Sequence, residues 1–174
     1  MLENPMSCCI CQKAKTTLTC GICKENLCKG CTQFLNADSF SFLNKIAEDL
    51  KHTAYCGTCF NEKVSAPLEK YNQILQAARE ISVFEKSQSK ETRLLKRKEK
   101  EYKIVDCADK DEAVLRFAFW AAQDGFNAVI DVDLIPKKIK MNGYQTTVWS
   151  GTAMPVNVSD RMLVKDRSIW SNPN

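Results

Sequence analysis

The 174-residue chain has a single histidine, His52, and that scarcity excludes more chemistry than any other feature of its composition. Ser/His/Asp and Cys/His arrangements both need an imidazole base, and none is close in sequence to a candidate nucleophile. Gly-rich phosphate loops are absent too, with six glycines scattered along the chain. No run of about 18 apolar residues occurs, so no membrane span is expected. Met1 to Ser7 is too short and too polar to hold an apolar export segment, which points to a cytoplasmic setting with reduced thiols; delivery to another cell by a signal-free route stays open. Hydrophobic residues at 44% and charged residues at 26% are ordinary for a globular protein, which argues against wholesale disorder.

Cysteine is the one residue in excess, with ten in the chain, nine of them before residue 60 and eight of those nine in pairs. The pairs are Cys8/Cys11, Cys20/Cys23, Cys28/Cys31 and Cys56/Cys59, separated by gaps of eight, four and 24 residues. Two residues between thiols let one tight turn present both sulfurs to a tetrahedral ion, and four such pairs make eight ligands, enough for two zinc ions. Filled four-thiolate sites leave no open position for water, so these zincs are expected to be structural. A domain this small buries too little surface to fold unaided, and metal binding would supply much of its folding free energy. The alternative is redox-active or disulfide-bonded pairs. Spacing alone leaves open whether the pairs share an ion sequentially or cross over, although the gap of four is too short for two independent zinc ribbons.

Four Cys-x-x-Cys pairs with four residues between the second and third resemble the FYVE family and its relatives. The resemblance implies a cross-brace, with Cys8, Cys11, Cys28 and Cys31 on one zinc and Cys20, Cys23, Cys56 and Cys59 on the other. RING fingers are the next candidate, but they usually place a His in the second or third pair. The phosphoinositide signatures of the FYVE family are missing. Lys24-Glu25-Asn26-Leu27-Cys28-Lys29 stands where a basic, His-rich stretch surrounds the fifth cysteine, no Trp-x-x-Asp precedes Cys8, and Ala54-Tyr55 replaces an Arg-Val. Phosphatidylinositol 3-phosphate is therefore not an expected ligand, and a protein partner is. Cys9 is read as a spare thiol, and His52 as a surface or supporting residue.

Between Thr32 and Tyr55, the recurrence of Phe40, Phe42, Leu43, Ile46, Ala47 and Leu50 at intervals of three and four predicts a short helix capped by Ser39 or Ser41. Ala66 to Ile81 reads as a second helix, with Pro67 in its first turn. Ile81 to Phe84 is ambiguous between strand and loop. Lys86 to Lys103 carries eight Lys or Arg against three Glu, a net of +5, while the rest of the chain sums to about −1. It reads as a solvated, charge-laced connector, and as the segment through which a nucleic-acid-binding role would act.

From Tyr102 the pattern is strand, helix, strand, strand. Tyr102 to Cys107 is a short strand, Asp109 or Asp111 caps a helix that Gly125 ends, and Ile130 to Leu134 alternates apolar with acidic residues. Asn142-Gly143 supplies a hairpin turn, and Tyr144 to Val156 runs back as a strand broken by Gly151. Only Arg116 is polar between Ala113 and Ala122, so this helix must be covered on more than one side, by another subunit or by the earlier helix. Asp131 and Asp133 are expected to be solvated strand residues, and Cys107 a half-buried one.

Gly125-Phe126-Asn127-Ala128-Val129-Ile130 and Ser150-Gly151-Thr152-Ala153 resemble signatures of a small bacterial family that includes the YbjQ-like proteins, often labelled heavy-metal-binding, and the related fold of the lipoprotein RcsF. The resemblance implies a homo-oligomer and no established chemistry.

The expected fold class is thus α+β. A FYVE-like double-zinc finger (1–65) precedes a helix and basic connector (66–101), a compact β-α-β-β domain (102–156) and a tail (157–174) holding Met162 and Trp170. The expected role is a non-enzymatic zinc-binding scaffold, the finger recognising a protein and the C-terminal domain oligomerising. The alternatives are a nucleic-acid-binding regulator using residues 86–103 and a ubiquitin-ligase-like finger.

Overall fold

A computed structural model describes residues 7–159, and its α+β content falls into two compact units that divide between Gln73 and Ile74. The first unit holds two miniature antiparallel sheets. Strand β1 (Leu18–Thr19) pairs with β2 (Asn26–Leu27), and β3 (Thr32–Phe34) with β4 (Ala54–Cys56). A helical stretch follows as α1 (Gly57–Cys59), a π-helical segment Phe60–Val64, and α2 (Ser65–Ala78). Pro67 is the third residue of α2 and so lies in its first turn, directly after the π-helical segment.

The predicted helix across residues 39–50 does not form. Residues 36–43 are instead a chain of tight turns, with Ser39 N–H bonded to the Asn36 carbonyl, Ser41 to Asp38 and Leu43 to Phe40, and a single 3-10 turn covers Glu48–Leu50. Phe40 has φ +67°, outside any right-handed helix, and its fully buried ring meets Tyr71 edge-on at 5.3 Å. Leu27, Tyr55 and Val64 of this unit are fully buried as well.

The second unit is a four-stranded sheet, not three-stranded, in the order β5–β7–β8–β6. The added strand is β5 (Ser82–Glu85), which runs parallel to the start of β7 (Ala128–Met141). The C-terminal domain thus begins about twenty residues earlier than its predicted boundary at 102. Strand β6 (Tyr102–Cys107) and β8 (Tyr144–Val156) take the predicted bounds. Asn142 and Gly143 have φ of +50° and +86°, the pair of left-handed conformations of a two-residue hairpin turn between β7 and β8. Gly151 does not break β8. A β-carbon there would stand 1.9 Å from the Asp133 carbonyl oxygen, so glycine lets the two strands close at the bulge between Ile130 and Asp133.

Helix α3 (Lys110–Gln123) starts at Asp109, whose side chain accepts the Glu112 N–H at 2.9 Å, and the chain turns away at Gly125 with φ +82°. Ala113, Phe117 and Ala121 pack against Ile104, Cys107, Val129, Val132 and Ala153 on one face of the sheet. Cys107 is buried in this core rather than half-buried. Ala118 and Phe119 of α3 are buried as well.

The second core uses Ala128, Ile130, Val156 and Val158, with Phe84, Leu95 and Met154 packed against them. Residues 86–101 are mostly exposed, as expected of a charge-laced connector, but the segment is anchored to the sheet at several points. Arg97 makes a forked ion pair to Asp131, with Nε to Oδ2 at 2.5 Å and Nη2 to Oδ1 at 3.0 Å, and Lys86 reaches Asp133 at 2.7 Å. The two acids predicted to be solvated are thus the anchors of this segment, which also buries Thr92. At the chain's far end, Val158 exchanges two 2.8 Å hydrogen bonds with the Asn127 amide group, so the tail begins docked. Met162 and Trp170 lie outside the described residues.

Candidate metal centres

The first unit uses one local device twice. In Cys8–Lys13 the Gln12 N–H bonds the Cys8 carbonyl at 2.8 Å and the Cys8 N–H bonds the Lys13 carbonyl at 3.0 Å. In Cys20–Glu25 the Lys24 N–H bonds the Cys20 carbonyl at 3.1 Å and the Cys20 N–H bonds the Glu25 carbonyl at 2.9 Å. Gln12 and Lys24, each following the second cysteine of its pair, have φ of +55° and +63°. The chain turns back on itself in a left-handed step that glycine usually supplies and that neither sequence position advertises.

Each knuckle is then tied to a strand through the residue after its first cysteine. Cys9 N–H bonds the Asn26 carbonyl of β2, and Gly21 N–H bonds the Ala54 carbonyl of β4, both at 2.9 Å. The first bond holds the Cys8/Cys11 knuckle next to Cys28. The second, with the Thr32–Cys56 register of β3 and β4, holds the Cys20/Cys23 knuckle next to Cys56. Alternate pairs along the chain consequently converge.

The sulfurs of Cys8, Cys11, Cys28 and Cys31 lie within 4.8 Å of one another, and so do those of Cys20, Cys23, Cys56 and Cys59. A tetrahedral ion with Zn–S near 2.3 Å needs sulfurs roughly 3.8 Å apart. Cys11 and Cys28 sulfurs are 3.6 Å apart, and Cys23 and Cys56 sulfurs 3.9 Å. These separations are far beyond a disulfide bond of about 2 Å, and all ten cysteines are free thiols. The grouping is the crossed one, 8/11 with 28/31 and 20/23 with 56/59.

Electrostatics favour a cation in both clusters. Backbone amides of Cys11, Cys28 and Ile10 bring the Cys8 thiol down to about 6. Burial opposes ionisation of Cys20, but amide donors from Cys56, Cys23 and Ile22 outweigh it and bring that thiol to about 6 as well. In the same clusters, hydrogen bonds with the Cys28 and Cys11 thiols push Cys31 up to about 12. Burial, then the Cys56 and Cys23 thiols, push Cys59 to about 12. Four sulfurs this close cannot all be thiolates on their own, and a divalent cation is the charge that lets them be. The Cys56 N–H to Cys20 Sγ contact at 3.3 Å and Cys59 N–H to Cys56 Sγ at 3.4 Å add donors to the sulfurs from the backbone.

Cys20 and Cys56 of the second cluster are buried, whereas in the first cluster only Cys8 is. Cys9 is exposed and belongs to neither cluster. His52 supplies no ligand atom to either cluster. Its ring stands over Gly21 and edge-on to Tyr55 at 6.2 Å, and the Tyr55 hydroxyl accepts the His52 N–H at 3.1 Å. The packing on Gly21 was not legible in the sequence, because the two residues that make it are 31 positions apart.

Set against known proteins, the chain matches no protein-family model, no curated sequence and no solved structure.

Proposed function

We propose that the protein is a non-enzymatic interaction scaffold of the cytoplasm, in which two structural zinc ions hold an N-terminal finger that recognises a protein, and the C-terminal unit assembles copies of the chain. The observation that carries this reading is the pair of complete four-sulfur clusters. Four thiolates saturate a tetrahedral ion, so each zinc would stabilise the fold, with no coordination site left for substrate. The metal's contribution of roughly 10–16 kcal/mol per site is ample for a unit this small.

The crossed grouping supports kinship with FYVE-like cross-brace fingers. Lys24 to Lys29 lacks the His-rich basic surface on which a phosphoinositide headgroup would sit. A protein ligand is the better match to such a scaffold. The YbjQ-like segments Gly125–Ile130 and Ser150–Ala153 support self-association of the second unit, which would multiply finger affinity through valency.

Sedimentation velocity of the zinc-loaded chain across a concentration series tests the assembly half of this reading. A defined oligomer is expected, and a monomer at every concentration would remove it. Vesicles containing phosphatidylinositol 3-phosphate test the finger: no recruitment is expected, and finger-dependent recruitment would restore the headgroup role.

A further inference from the structure

Strands β7 and β8 pair along their whole length, from Ala128↔Val156 to Met141↔Tyr144, but their neighbours cover only one end. Strand β5 reaches no further than Val132, and β6 no further than Trp149. From Ile135 to Val148 the sheet is therefore a two-stranded ribbon. It is mostly exposed, with Ile135 at 63%, Met141 at 58% and Tyr144 at 81%. Five residue pairs, from Lys137↔Val148 to Met141↔Tyr144, give an arm about 17 Å long.

The charge of this arm has one sign. Between Leu134 and Thr152 there are three lysines and neither Asp nor Glu. In the register Lys138 faces Thr147, Lys140 faces Gln145 and Lys137 faces Val148, which puts lysine on both faces of the ribbon. None of the three forms an ion pair among the described residues. The basic segment behind them behaves differently, because its Lys86 and Arg97 are taken up by Asp133 and Asp131. Asn142, Gln145, Thr146 and Thr147 add hydrogen-bonding side chains to the lysines.

We infer that the Ile135–Val148 ribbon is a binding arm for duplex DNA. A two-stranded ribbon fits the major groove of B-form DNA, about 12 Å wide, and lysines on both faces can meet the phosphates of both groove walls. Addition of a further strand to the ribbon is disfavoured, since Pro136 removes one edge N–H and the lysines repel an approaching basic copy. Three phosphate contacts correspond to a salt slope near −2.7, or about 40-fold weaker binding at 200 mM than at 50 mM salt. This inference is independent of the finger's role.

The test is fluorescence anisotropy of a mixed-sequence 20-base-pair DNA duplex with the full zinc-loaded chain, in a potassium chloride series. Binding at 50 mM salt with the slope above is expected. The triple variant Lys137→Gln/Lys138→Gln/Lys140→Gln should bind at least tenfold more weakly and lose most of the slope, with unchanged melting and metal content. Lys90→Gln/Lys96→Gln/Lys98→Gln should change binding less than threefold. The inference is overturned by any of four results: no binding at 50 mM salt, a triple variant that binds as before, a single-stranded 20-mer bound as tightly, or equal binding to phosphatidylserine vesicles.

Discussion

The imidazole of His52 lies over Gly21 so closely that a β-carbon on Gly21 would fall 2.2 Å from the ring's Cγ and 2.3 Å from the His52 β-carbon. Gly21 is the residue between the knuckle's first cysteine and Ile22, and its N–H anchors the knuckle to β4. Cys9 holds the equivalent place in the first knuckle and carries a full side chain there. The two knuckles share a backbone, and only one of them requires glycine.

Gly21→Ala should therefore destabilise the first unit by about 1–3 kcal/mol, the usual range for forcing an extra methyl into a packed site. His52→Ala should not rescue it, because the β-carbon clash remains, whereas His52→Gly should recover most of the loss. A double-mutant cycle read by chelator-induced unfolding measures the coupling.

At Gly151 the obstacle is backbone. The Asp133 carbonyl oxygen, 1.9 Å from where an added methyl would sit, cannot swing aside without breaking the β7–β8 pairing. Gly151→Ala is expected to cost about 3 kcal/mol or more, with no single side-chain deletion restoring it. Thermal melting of the variant beside the parent checks this.

The Arg97–Asp131 fork is partly in water, with side chains 34% and 25% exposed, so its charge contributes little after screening. Asp131→Asn keeps a residue tolerant of the φ of +53° seen there and removes only the charge. A loss of about 0.5–1 kcal/mol is expected, shrinking in high salt. Arg97→Ala should cost more, about 2 kcal/mol, because Arg97 also donates to the carbonyls of Thr92 and Leu95 and to the buried Thr92 hydroxyl. Urea unfolding at two salt concentrations separates these effects.

These contacts also explain where sequence reasoning stopped. Strand β6, helix α3 and strand β8 were legible because alternation, an Asp cap and an Asn-Gly turn are local signals. The cysteine clusters were legible through two-residue spacing, and their crossed partition through family resemblance. The anchoring of residues 86–101 was not, since Arg97 and Lys86 meet acids 34 and 47 positions away, and a charged side chain carries no mark of its distant partner. The far half of β7 was missed for another reason. Lys137 to Met141 is exposed on both faces or nearly so, and a strand without a buried face has no alternation to show. The loop before the 3-10 turn spaces its apolar residues as a helix would, but the left-handed φ of Phe40 that keeps it from being one carries no sequence signal.

Crossed ligation makes a specific prediction about cysteine variants. Cys20→Ser and Cys56→Ser should each lose one metal per chain, and the two together should lose no more than that. Cys8→Ser combined with Cys20→Ser should lose both. Sequential pairing would give one metal lost for Cys8 with Cys20 and two for Cys20 with Cys56, so metal content of these double variants separates the two schemes.

The most direct measurement is native mass spectrometry of the chain purified in zinc without chelator. The account predicts two zinc ions per chain with all ten cysteines reduced. A metal-free chain whose mass shows disulfide bonds would contradict it.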